Sequence, residues 1–289
     1  MRYDAHEQLV APARPRARIW RLPVGIALIG VIYAILLAGW FMLEFAAGLP
    51  RTGEGGLGTT PWTATILLAS FGFLFPGLWL TTRWLHRRRL RTLFGPRRAF
   101  LRDAGRTALA ALAVYALGLL LPGGTDITPV PNRPFGDWAL WLLPAALALL
   151  TQVAAEETLF RGYLQSQLAA RFRSPVIWLI LPAVAFGLLH YSAAEGGANA
   201  TLLILPPIAF GLLAGDLTAR SGTLGPAITL HFFNNFTAVL LVAPGTPLSG
   251  LALYRLPVEM SDPAIRAHLP VELAMMLVLW LAARVMLRR

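Results

Sequence analysis

Long apolar stretches separated by short polar segments dominate this chain of 289 residues. A helix needs about 20 apolar residues to cross a bilayer, and several stretches reach that length. We therefore predict an all-α, polytopic helical membrane protein with about eight transmembrane helices. The expected helices cover residues 22–49, 61–85, 104–121, 138–173, 175–190, 199–217, 224–242 and 269–286.

Composition agrees with this pattern. Hydrophobic residues make up 56% of the chain and charged residues 13%, and the mean hydropathy is +0.61. Residues 22–289 are expected to form one membrane domain, whereas the polar, arginine-containing segment 1–21 is predicted to be a disordered basic tail. The first apolar stretch is too long for the core of a cleavable signal peptide. The absence of cysteine excludes disulfides, thiolate metal sites and a cysteine nucleophile.

The distribution of arginine predicts the orientation. The net charge is +11, and the arginines cluster in alternate loops, most densely in residues 86–102. Positive loops stay in the cytoplasm, so both termini are expected there. The positive net charge is then explained by membrane topology. For this reason no nucleic-acid partner is expected. We predict an integral protein of a bacterial inner membrane.

Two adjacent carboxylates, Glu156 and Glu157, lie near the end of the long apolar stretch 138–173. An acidic residue at the centre of a membrane helix costs about 2.5–3.5 kcal/mol, so such a residue is read as functional. Arg161 lies one helical turn after Glu157, in the favourable order for an ion pair. Glu156 projects from another face and is left free for chemistry.

His190 is the first candidate partner of Glu156. If residues 138–173 and 175–190 form antiparallel helices, the two side chains lie at nearly the same height. A carboxylate and an imidazole in contact can activate a water molecule. Phe186, one turn before His190, is expected to wall this site. The alternative is an interfacial histidine that only ends its helix.

His231 and Asn235 form a second polar pair, one turn apart on one face of the helix expected at 224–242. Asn234 is rotated to another face. Histidine and asparagine donors at this spacing can hold a developing oxyanion together. Alternatively, the pair only forms hydrogen bonds between helices.

Three short motifs, EETLFR, FGLLH and HFFNN, match the patterns EExxxR, FxxxH and HxxxN. In this order, over residues 138–242, they resemble the CPBP family of intramembrane endopeptidases, which includes the type II CAAX prenyl endopeptidases. The resemblance implies that Glu156 is the general base, assisted by His190. It also implies an oxyanion hole formed by His231 and Asn235. The supporting residues would be Glu157, Arg161 and Phe186.

Members of this family have often been described as metal-dependent. Glu156, His190 and His231 could supply the ligands of a catalytic zinc, so a zinc-dependent protease is an alternative. We predict a metal-free site without a cofactor. The chain lacks an HExxH motif, and an asparagine beside the second histidine suits oxyanion binding better than zinc ligation.

The expected substrate is a hydrophobic or lipidated, CAAX-like peptide or protein, because such chains partition into the bilayer where the site lies. The lipid bilayer is the other expected partner, and the sequence leaves the oligomeric state open. A non-catalytic bacteriocin-immunity protein or membrane scaffold is the alternative from a different class. In that case the polar residues would serve helix packing.

Overall fold

The structure is a computed structural model that describes residues 3–49, 58–120, 127–245 and 248–288. Within these ranges a frame of long helices follows the predicted order. The helices are α1 (Arg21–Ala46), α2 (Pro61–Leu85), α3 (Arg97–Gly118), α4 (Phe135–Arg171), α5 (Pro175–Leu188), α6 (Leu205–Ser221), α7 (Gly225–Asn235, continued by a wider turn, Phe236–Leu241) and α8 (Leu269–Leu287). The predicted boundaries agree least for α3, which begins earlier, and α6, which begins later.

The predicted number of spans is not confirmed. In the described part of the chain, 4 helices are long and apolar enough to cross a membrane, and there are up to 5 if a bent pair counts as one span. The four are α1, α2, α4 and the segment Pro263–Leu287, and the bent pair joins α5 to Ala193–Asn199 at 67°. The other helices are short or begin with charged residues, as α3 does at Arg97 and Arg98.

Local sequence signals explain where several helices begin and end. Thr60 caps α2 through a reciprocal hydrogen-bonded arrangement with Thr63, and Pro61 occupies the first helical position. Pro175 likewise occupies the first helical position of α5. Gly222 ends α6 in the left-handed region, at φ 72°, where glycine carries no steric penalty.

A small sheet joins α4 to α7 at the end of the molecule where α4 begins. Strand β3 (Tyr254–Arg255) pairs antiparallel with β1 (Val130–Pro131) and parallel with β2 (Val242–Ala243). The Trp138 indole N–H also donates to the Leu240 carbonyl at 2.7 Å. The expectation of an all-α fold therefore needs this minor correction. The sheet fixes the relative position of the two helices that carry most of the polar candidates.

The N-terminal segment is ordered from residue 3, so the prediction of a disordered tail is wrong. Its apolar side chains pack inward, and Leu9 is fully buried. The Tyr3 hydroxyl donates to Asp216 Oδ1 at 2.8 Å, and the His6 ring packs 4.8 Å from the Trp178 ring. Composition suggested disorder because arginine and proline mask these few buried contacts. The segment consists of three short helical pieces, Asp4–His6, Glu7–Val10 and Ala11–Arg16.

Burial lowers the pKa of the His6 imidazole from its ordinary 6.5 to about 4. The unfolded chain therefore takes up a proton at His6 near pH 6.5, whereas the folded protein resists it until about pH 4. We expect stability to fall by about 3 kcal/mol as the pH drops through this interval. The His6→Phe variant keeps a ring against Trp178 and should show a shallower dependence of its unfolding temperature on pH. His268→Phe is the control, and equal slopes for His6→Phe and wild type would contradict the prediction.

Candidate active site

The buried ion pair predicted within the first motif is present on α4. The Arg161 guanidinium donates from NH1 to Glu157 Oε1 at 2.8 Å, and the two side chains are 1% and 0% exposed. Directly after Glu157 the helix widens into a π-helical segment, Thr158–Gln165. Such wide turns often occur at functional sites because they redirect side chains.

Three phenylalanine rings surround the Arg161 guanidinium. Its central carbon lies 4.7 Å from the ring centre of Phe186, 5.5 Å from that of Phe210 and 5.8 Å from that of Phe160. Aromatic faces attract a cation, most strongly away from water. Arg161 is therefore held by one carboxylate and three rings. Phe186, which the sequence predicted beside Glu156 and His190, is one of the three rings around Arg161.

His231 of α7 lies between the two carboxylates of α4. Its Nδ1 is 2.8 Å from Glu157 Oε1, and its Nε2 is 3.6 Å from Glu156 Oε2. Asn235 places Nδ2 at 3.2 Å from the same Nε2. The Asn234 amide donates from Nδ2 to Asn235 Oδ1 at 3.3 Å. The first and third motifs thus meet in one polar cluster.

Glu156 is buried, with 8% of its surface exposed, yet Glu156 Oε2 has no hydrogen-bond partner among the described residues. Gln152 lies one helical turn earlier, and its Oε1 is likewise buried without a partner there. Buried polar groups in folded proteins are nearly always hydrogen-bonded to protein or water. These two oxygens therefore point to a place where a water molecule or a substrate group binds.

The charges in this cluster can balance. Two ionised carboxylates, Glu156 and Glu157, face one guanidinium and one imidazole that has two protonation states. With His231 protonated the set is neutral, whereas the 3.2 Å contact from Asn235 Nδ2 to Nε2 is a hydrogen bond only in the neutral imidazole. The short contact between Nδ1 and Glu157 also orients the imidazole, so that Nε2 faces Glu156 and Asn235.

His190 does not make the direct contact with Glu156 that the sequence suggested. It is exposed, and within the described residues no hydrogen bond or ion pair joins it to Glu156. Its Nδ1 lies 2.9 Å from the Phe186 carbonyl oxygen, and its ring packs 4.7 Å from the Phe186 ring. Phe186 also contacts the ring of His231, at 5.8 Å. His190 faces a cavity of about 280 Å³ that is also lined by Glu195.

The proposed zinc ligands do not form a metal-binding set. In the described part of the chain, no group of three histidine, aspartate or glutamate side chains could hold a metal ion. His231 directs Nδ1 to Glu157, and His190 directs Nδ1 to a backbone carbonyl. This geometry does not fit a zinc held by Glu156, His190 and His231.

Two residues near the cluster were missed at the sequence level. Gln152 stands four positions before Glu156, so the spacing alone predicts that both side chains lie on the same helical face. Phe210 of α6 packs 4.6 Å from the His231 ring. No sequence signal marks Phe210 among the many apolar residues of its helix.

These features define a helical integral membrane protein with buried glutamate, histidine and asparagine side chains in one cluster. Residues 138–237 match the family described as type II CAAX prenyl endopeptidase Rce1-like. The matched residues include the three motifs, so the similarity to that family lies in the segment that carries them.

One curated relative, the uncharacterized protein YyaK of Bacillus subtilis (strain 168), is 23% identical over 187 residues. The alignment covers 62% of this chain and 60% of the relative, so the chain spans less than two thirds of that protein's length. No solved structure matches the chain significantly.

Proposed function

We propose that the protein is an intramembrane endopeptidase that hydrolyses a peptide bond with a water molecule activated by Glu156. The observation that carries the proposal is the buried Oε2 of Glu156, which has no hydrogen-bond partner among the described residues and lies 3.6 Å from His231 Nε2, beside Asn235. A carboxylate oxygen without a hydrogen-bond partner can accept a proton. The side chains of His231 and Asn235 lie beside this oxygen.

In the first step, the water oxygen attacks the carbonyl carbon of the substrate, and the water proton passes to Glu156. The carbonyl π electrons move to oxygen and form a tetrahedral oxyanion. Protonated His231 donates from Nε2, and the Asn235 amide donates from Nδ2, to this oxygen. Glu157 supports the charged imidazole through Nδ1, and Arg161 balances Glu157.

In the second step, the tetrahedral intermediate collapses and the carbon–nitrogen bond breaks. Glu156 returns its proton to the leaving amine, so the carboxylate is regenerated. The products are a new carboxyl terminus and a new amino terminus. No step of this proposed reaction requires a metal ion.

His190 would assist from the neighbouring cavity. With Nδ1 donating to the Phe186 carbonyl, Nε2 is the acceptor of the neutral imidazole. That nitrogen can accept a hydrogen bond from the attacking water or orient it toward Glu156. Phe186 holds this ring on one face and contacts His231 nearby.

The proposed substrate is a hydrophobic or lipidated peptide or protein, CAAX-like in that its lipid tail holds it in the bilayer. The first half of α4 exposes large apolar side chains, including Leu140, Leu143 and Leu147. A substrate that diffuses within the membrane reaches such a surface without leaving lipid. We further propose that both termini are cytoplasmic, on the basis of the arginine distribution, and that the membrane is a bacterial inner membrane, since the curated relative is from a bacterium.

Asn235→Ala tests the proposed oxyanion hole. Loss of one donor should lower kcat by about 10²–10³-fold with little change in KM, since the oxyanion exists only near the transition state. The assay is cleavage of a quenched lipidated peptide by purified protein. Thr151→Ala is the control, because the Thr151 hydroxyl bonds only to its own helix at Leu147. A variant with unchanged kcat would remove Asn235 from the mechanism.

A further inference from the structure

A second, larger cavity lies away from the polar cluster. Its volume is about 700 Å³, and none of the residues placed in the proposed mechanism lines it. The N-terminal segment forms one side through Gln8 and Pro12, and the beginning of α3 forms another through Phe100 and Leu101. The cavity therefore lies where the arginine-rich segment enters the helical frame.

The cavity combines apolar walls with a cationic rim. The walls include Phe94, Phe100 and Leu101, and the rim carries Arg91 and Arg97. Both arginines are exposed, and neither forms an ion pair within the part of the chain that the structure describes. No acidic residue is among the described residues that line it. Its chemistry thus fits an amphiphile with a negatively charged head.

Exposed apolar side chains of α3 continue from the cavity along the helix. Leu101 lines it and is 58% exposed, and farther along α3 Leu109 and Leu112 are 60% and 53% exposed. At these spacings the three leucines lie on one face of the helix. An apolar surface of this kind on a membrane protein faces acyl chains. A lipid tail can therefore run from the cavity along α3 without entering water.

We propose that this cavity binds an anionic phospholipid, with the phosphate between Arg91 and Arg97 and part of an acyl chain against Phe94, Phe100 and Leu101. Guanidinium groups recognise phosphate through paired, charge-assisted hydrogen bonds. Basic residues beside a membrane helix select anionic lipids over zwitterionic ones.

The bound lipid would also support α7, the helix that carries His231. The Leu224 N–H donates to the Phe94 carbonyl at 3.1 Å, immediately before α7 begins. Gly225 packs so closely on α3 that an added Cβ would lie 2.4 Å from the Phe100 carbonyl oxygen. Phe94 and Phe100 of the cavity wall thus contact the start of α7. A lipid bound in the cavity should therefore raise the unfolding temperature of the protein.

Native mass spectrometry of the delipidated full-length protein tests the site, with phosphatidylglycerol and phosphatidylcholine of identical acyl chains. We expect a preference of about 30-fold for phosphatidylglycerol, from two arginines. The double variant Arg91→Gln and Arg97→Gln should lose most of this preference. Leu101→Trp fills the cavity but keeps both charges, and it should weaken phosphatidylglycerol binding as well.

Arg98→Gln is the matched control, because Arg98 is an exposed arginine in the same first turn of α3 and does not line the cavity. It should bind phosphatidylglycerol as the wild type does. Equal affinity of the wild type for both lipids would overturn the proposal. So would unchanged binding by a folded double variant, or an increase in unfolding temperature with inorganic phosphate equal to that with the lipid.

Discussion

Replacing Glu156 by glutamine should lower kcat by at least about 10³-fold while the protein still inserts and folds. Glutamine has almost the same shape as glutamate, but its amide cannot accept the proton of the attacking water. The loss should appear in kcat rather than in KM, because substrate binding does not depend on this proton transfer. Turnover of a lipidated peptide by purified variants measures it.

Glu7→Gln is the matched control, since it removes a carboxylate from an exposed pair with Arg14 in the N-terminal segment. Its turnover should equal that of the wild type. In the wild type, activity should also fall on the acid side as Glu156 becomes protonated. A folded Glu156→Gln variant with wild-type turnover would leave the proposed mechanism without its base.

Arg161→Met should produce the largest loss of stability in the protein, about 3–5 kcal/mol. The change leaves the fully buried Glu157 carboxylate without its guanidinium partner, and it also removes a cation held by three aromatic rings. Only the His231 contact then remains to Glu157. Thermal unfolding in detergent and the yield of monodisperse protein measure the effect.

A double-mutant cycle separates the charge from the packing. Glu157→Gln combined with Arg161→Met removes both charges and should be more stable than the sum of the single losses implies. Its activity should stay low, because His231 has lost its anionic partner. Arg14→Met is the control in an exposed pair, where little stability is expected to be lost. Strictly additive single and double losses would contradict a coupled buried pair.

Much of the cluster could be predicted from short-range spacing. On a helix, Glu157 and Arg161 must share a face, as must His231 and Asn235, and these geometries are present. The meeting of α4 with α7 required the motif resemblance, because nothing local specifies which helices pack together. The family match over residues 138–237 supports that use of the motifs.

Other features depended on tertiary packing and could not be predicted. Residue counting predicted His190 at the height of Glu156, and its side chain contacts the Phe186 carbonyl and lines a neighbouring cavity. Height fixes a position along a helix but not the direction of a side chain. The order of the N-terminal segment rests on a few buried residues such as Leu9 and His6, whose partners lie far away in sequence.

Cleavage of a lipidated peptide by purified protein, with and without a chelator, tests the central claim most directly. Mass spectrometry of the products identifies the bond that is cut, and Glu156→Gln is assayed in parallel. The account predicts one cleaved peptide bond with the wild type, the same rate in the chelator, and cleavage by the variant that is at least about 10³-fold slower. Cleavage that the chelator abolishes and zinc restores, or equal cleavage by a folded Glu156→Gln protein, would contradict it.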